Sequence, residues 1–305
     1  MDTLDTFENP LGKPKKPGNQ LDLMYLIIFL IGGFVLGQLA NAAIMMSQGI
    51  TLDQLSSGQY DLSTQSMRLI AFTGQLFTFL IPGIFISWII YKREALTTLG
   101  ILEFPPLSVF ILSGLLIIAS LPATQLLYLI NLEIPMPDIL KSMEDSTNDL
   151  IATLLRMETP LDILTSVIVI GLIPAIGEEL IFRGLIINIL KDKGLSTLAV
   201  LILSALIFSA FHMQFQGFIP RFFLGLLLGY LYIRSGSLWL SITTHFVFNS
   251  FQVVAASYLM GDQAISPDDT PSWDDLNIYG VLISIAILGF ILYLLAKRKD
   301  LKPLF

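Results

Sequence analysis

The stretch 163–190, ILTSVIVIGLIPAIGEELIFRGLIINIL, holds only three charged residues, Glu178, Glu179 and Arg183, in an otherwise apolar run. Crossing the hydrocarbon of a bilayer takes about 20 such residues as a helix, and only a helix satisfies its own backbone there without water. The run therefore reads as a transmembrane helix with an ionic centre. A carboxylate at that depth faces a polar cavity and has a partner. Glu179 and Arg183 are four apart and share a helix face, with the acid on the favourable N-terminal side. Glu178 is turned about 100° from Glu179. The spacing predicts that Arg183 holds Glu179 while Glu178 is free to act.

The rest of the chain has the same character. Its 305 residues are 54% hydrophobic and 13% charged, against about 25% charged in soluble domains. Apolar runs at about 22–46, 68–91, 107–130, 163–190, 196–213, 219–235, 237–260 and 278–296 predict an all-α, polytopic bundle of about eight transmembrane helices. The lysines and arginines at 13–16, 92–93, 191–193, 234 and 297–302 fall at one set of ends. The positive-inside rule then predicts a multi-pass protein of the cell membrane with both termini cytoplasmic. Residues 1–20 are polar and Pro/Gly-rich, a flexible cytoplasmic tail; residues 21–305 form one membrane domain with its core at about 163–260. The connection 131–162 differs from the others. It is charged yet periodically apolar, which predicts either amphipathic helix lying on the membrane, over the mouth of a cavity, or an ordinary extramembrane loop with some helix. No cysteine is present, so disulfides and thiolate metal sites are excluded.

Only two histidines occur. His212 ends the fifth run and His245 lies within the seventh, four residues before Asn249, so both project toward one neighbour. Imidazole suits metal ligation or proton transfer near neutral pH. Each feature also has a purely structural reading, since a Glu–Arg or His–Asn pair can glue helices together. Their concentration in consecutive runs favours a hydrolytic site. Glu178 can take a proton from water and return it to a departing amine, with His212 orienting the water and His245 and Asn249 donating to the oxyanion. Glu178, His212 and His245 equally make a three-ligand zinc site with an open fourth position. The residue types leave both schemes open, although the absence of H-E-x-x-H excludes the common zinc-protease helix. Pro174 predicts a kink in the fourth helix. Gly177 and Gly184, and the Gly225/Gly229 pair, predict close helix contacts.

These motifs resemble those of the CAAX protease and bacteriocin-processing family (CPBP, or Abi), which includes the type II prenyl-protein endopeptidases. Its E-E-x-x-x-R pattern stands here as Glu178-Glu179-Leu-Ile-Phe-Arg183, its F-x-x-x-H as Phe208-Ser-Ala-Phe-His212, and its H-x-x-x-N as His245-Phe-Val-Phe-Asn249. The resemblance covers about 163–260. It implies an intramembrane endopeptidase, metallo- or glutamate-type, with Glu178, Glu179, Arg183, His212, His245 and Asn249 in the site. It also implies a peptide or protein substrate, lipidated in eukaryotic members. Bilayer lipid is a partner; nucleic acid is not. A proton-coupled transporter and a non-catalytic scaffold or immunity protein are the competing classes, and the lack of internal repeats counts against the transporter. Helix rise places Glu178 and His245 at similar depth and His212 about 10 Å nearer the other face.

Overall fold

The structure is a computed structural model and describes residues 21–303 apart from 59 and 261–270. The expected tail 1–20 and most of the acidic 262–275 connection lie outside the described residues. The principal helices are α1 (Leu21–Ser47), α2 (Thr64–Thr98), α3 (Leu107–Leu132), α4 (Asp138–Leu154), α5 (Pro160–Asp192), α6 (Thr197–Phe211), α7 (Phe218–Ser235), α8 (Leu238–Met260) and α9 (Ile278–Lys297). Among the described residues there is no strand.

All eight expected apolar runs are helical, and six of them, α1, α2, α3, α5, α7 and α9, are long and apolar enough to cross a membrane. The chain is a multi-pass helical membrane protein. The expected count of eight is not reached on length and composition, for two physical reasons. Helix α6 has 15 residues, about 22 Å of rise against roughly 30 Å of hydrocarbon. Helix α8 is long enough at 23 residues, but Thr243, Thr244, His245, Asn249, Ser250 and Gln252 dilute its apolar content.

Helix α5 is the axis of the bundle. Residues 177–189 are buried without a break, as expected for a helix apolar all round and enclosed by others. Around them, Ile86 of α2, Val200 and Phe208 of α6, and Tyr232 of α7 complete one apolar core. A second core joins Val109 and Leu116 of α3, Leu227 of α7, Leu240 of α8 and Leu288 of α9. Helix α7 belongs to both and ties them together. The outer faces are apolar as well: Leu39 of α1 is 63% exposed and Phe290 of α9 61%, as suits helices facing lipid.

Polar side chains join the helices where lipid offers no hydrophobic drive. Ser204 donates to the Phe182 carbonyl at 3.1 Å and Ser241 to that of Leu228 at 3.1 Å. Asn188 donates to the Tyr232 hydroxyl at 2.8 Å. At the basic end Arg234 donates to the carbonyls of Leu295, Ala296 and Lys302, closing the C-terminus of α9 with a cation as the helix dipole favours.

Small residues permit the closest helix contact. A Cβ on Gly225 would stand 3.0 Å from both Cα and Cβ of Ala205, so α7 lies directly on the α6 backbone. Gly225→Val is therefore expected to lower stability by about 1–3 kcal/mol, read as a fall in the thermal unfolding midpoint in detergent. Gly114→Ala, where a Cβ meets open space, is expected to leave that midpoint unchanged.

Candidate active site

Helix α5 is not uniformly α-helical at the motif. π-Helical turns at Val167–Leu172 and Leu180–Ile187 bracket the segment Ile173–Glu179. Each wide turn inserts a residue and re-aims the side chains that follow, a feature common at functional sites. The first wide turn and Pro174 occupy the place of the expected kink. Proline has no N–H to give the carbonyl four residues back, which is that of Ile170. Asn249 supplies the missing donor, its Nδ2 lying 3.2 Å from the Ile170 oxygen. This amide thus seals the helix at the proline and keeps one hydrogen for other use.

The two glutamates have different surroundings. Glu179 is fully buried, and its Oε1 accepts from Arg183 Nη1 at 2.7 Å and from His245 Nδ1 at 2.8 Å. Arg183, also fully buried, donates from Nη2 to the Gly225 carbonyl at 3.2 Å. Its guanidinium sits 4.5 Å from the Phe208 ring centroid, a cation–π contact. The same ring meets His212 and His245 edge-on at 4.9 and 5.9 Å between centroids. Phe208 is therefore the apolar post around which the motif side chains are arranged.

Glu178 has no such anchor. Its Oε2 is buried without a hydrogen-bond partner and lies 3.8 Å from His212 Nε2. The side chain of Glu178 is 7% exposed and that of His212 28%, so the pocket opens on the His212 side. His212 Nδ1 is 2.9 Å from the Phe208 carbonyl. A carbonyl only accepts, so Nδ1 carries the proton and Nε2 turns a lone pair toward Glu178. The same logic puts the proton of a neutral His245 on Nδ1, against Glu179. Sequence reasoning missed Gln75. Its side chain lies against the Glu178 carboxylate, its Oε1 is buried and unpartnered, and it precedes the π-turn Leu76–Leu80 of α2. A lone amide in the middle of an apolar run was the available signal.

The six motif residues lie in one region of the bundle. Glu178, His212 and His245 converge around Phe208 despite the 10 Å offset expected for His212. The offset arose from counting α6 as a full span; because α6 is short, its last turn ends inside the bundle beside Glu178. The expected Arg183–Glu179 contact is present at 2.7 Å, while Glu178 lies beside Gln75 and His212. Of the zinc set Glu178, His212 and His245, both imidazoles keep Nε2 free, and no three His, Asp or Glu side chains among the described residues converge as a metal-binding group.

Residues 160–251 match the family model described as type II CAAX prenyl endopeptidase Rce1-like. No curated protein and no solved structure matches the chain. The matched segment is a little under a third of the chain and contains α5, α6, α7, most of α8 and all six motif residues. Over this segment the chain is similar to that family, in agreement with the resemblance carried by the three motifs.

Proposed function

We propose that the protein is an intramembrane endopeptidase that cleaves a membrane-associated or lipidated peptide with water activated by Glu178. One observation carries this reading: Glu178 Oε2 makes no hydrogen bond and stands 3.8 Å from the His212 lone pair, while the adjacent Glu179 is fixed by Arg183 and His245. Two acceptors at that separation suit one water that donates a hydrogen to each at about 2.8 Å, leaving an oxygen lone pair to attack. The water oxygen bonds to the scissile carbonyl carbon as its proton passes to Glu178. The oxyanion is met by the free amide hydrogen of Asn249 and by the His245 ring, which the Glu179 carboxylate orients from Nδ1. Glu178 then delivers its proton to the amide nitrogen, the C–N bond breaks, and an amine and a carboxylic acid leave, the acid losing its remaining proton to solvent water.

Placing the basic ends of the helices in the cytoplasm puts both termini there and turns the His212 side of the pocket toward the opposite leaflet. Purified protein incubated with an internally quenched peptide bearing a prenylated cysteine near its free C-terminus is expected to release fluorescence. Mass spectrometry is expected to find a single hydrolysed bond, with 1,10-phenanthroline leaving the rate unchanged. Failure to hydrolyse either this peptide or its unprenylated form would contradict the proposal.

A further inference from the structure

The short helix α6 leaves residues 212–217 as irregular, partly exposed backbone between α6 and α7. Backbone at membrane depth must find its partners within the protein, and here they come from far away in sequence. Glu144, in the amphipathic helix α4, accepts from the Phe215 N–H at 2.7 Å and from the Gln216 N–H at 3.3 Å through one oxygen. Asn131, at the end of α3, donates to the Phe215 carbonyl at 3.0 Å and accepts from the Ile219 N–H at 2.7 Å. Arg221 closes the turn from below, donating to the Gln214 side-chain and backbone oxygens at 2.8 and 2.9 Å.

Glu144 is unlike Asp145 and Asp149 of the same helix. It is 3% exposed, whereas Asp145 and Asp149 face outward. A surface helix that turns a carboxylate inward loses its hydration and needs a specific return. The return is two directional N–H bonds to a loop that begins at a motif histidine. That loop opens with Met213 in the left-handed region at φ 54°, a conformation that a side-chain-bearing residue keeps only when its surroundings hold it. Glu144 and Asn131 both lie outside the family-matched segment, so this support belongs to the rest of the chain.

We infer that Glu144 is a positioning residue: by gripping the N–H groups of Phe215 and Gln216 it fixes His212 against Glu178, so that docking of α4 and assembly of the active site are one event. The inference rests on the proposed role of His212. A displacement of about 1 Å at a reacting group costs on the order of 100-fold in rate, which two lost loop bonds are enough to produce.

Two histidines allow a test that needs no substrate. In protein labelled with 15N-histidine, Glu144→Ala is expected to shift or broaden the His212 imidazole signals and leave those of His245 in place. Glu144→Gln, which keeps an acceptor oxygen, is expected to restore the wild-type spectrum, and Asp149→Ala never to disturb it. In the peptide assay Glu144→Ala is expected to lower kcat by about 10- to 100-fold at nearly constant KM. Should E144A not fold, Glu144→Asp, which withdraws the carboxylate by one methylene, carries the same expectations. Unmoved His212 signals together with wild-type kcat in the folded variant would overturn the inference. Loss of activity in Glu178→Gln beside full activity in E144A would defeat this inference alone. Full activity in both would also defeat the assignment of Glu178 as the water-activating residue.

Discussion

Glu178→Gln is expected to reduce turnover by about 10²- to 10⁴-fold, the usual contribution of a general base, while the protein folds and inserts as before. Glutamine keeps the size and planarity of the side chain but has no carboxylate to accept a proton from water. The stability half of the expectation follows from the two oxygens of Glu178: Oε2 makes no hydrogen bond, and the Gln75 side chain beside the carboxylate still meets an amide oxygen in the variant. Neutralising a buried carboxylate also removes a desolvation penalty, and the thermal midpoint is expected to hold or rise. The measurement is kcat and unfolding midpoint on the same preparation. Undiminished kcat would remove Glu178 from the chemistry, and a collapsed midpoint would make it a structural residue.

Arg183→Ala is expected to have the opposite signature, loss of the folded state before any question of rate. Both members of the Glu179–Arg183 pair are fully enclosed, and Arg183 also serves the Gly225 carbonyl and the Phe208 ring. Removing one partner strands a charge in a dry interior, at about 3–5 kcal/mol. The double variant Glu179→Gln/Arg183→Met removes both charges and is expected to recover much of that stability. It is not expected to recover activity, because His245 loses the carboxylate that orients its ring. Thermal unfolding in detergent of the single and double variants checks this; an unfolding midpoint of Arg183→Ala equal to that of wild type would contradict it.

The contrast between these two residues was legible in the sequence because it follows from helix periodicity alone. Adjacent glutamates cannot share a face, and an arginine four residues on reaches only the second. The bundle was legible for a similar reason, since run length against bilayer thickness is a one-dimensional property. Depth was not. The run 196–213 looks like a span, yet its helix is only 15 residues long, and nothing in composition tells a short helix ending in a turn from one that crosses fully. That difference brings His212 to Glu178.

The contacts that complete the site run between distant segments. Glu144 and Phe215 are 71 residues apart, and the amphipathic pattern of α4 announces an apolar face without naming what one inward acid on it will grip. The role of Asn249 at Ile170 was within reach of sequence reasoning. A proline at 174 leaves the carbonyl at 170 without its usual donor, and an amide on a neighbouring helix is a natural replacement. Gln75 was equally visible as an isolated amide in an apolar run, but its partner was not, because α2 and α5 meet only in the folded bundle.

The most direct test of the chemistry is a single-turnover cleavage in H₂¹⁸O with enzyme in excess over peptide, followed by mass spectrometry of both product and protein. Direct attack by a water held between Glu178 and His212 places one ¹⁸O in the new product carboxylate during the first turnover and leaves the tryptic peptide containing Glu178 unlabelled. Label in Glu178, with an unlabelled first-turnover product, would mean that the carboxylate itself attacks, and the activated-water mechanism would be wrong.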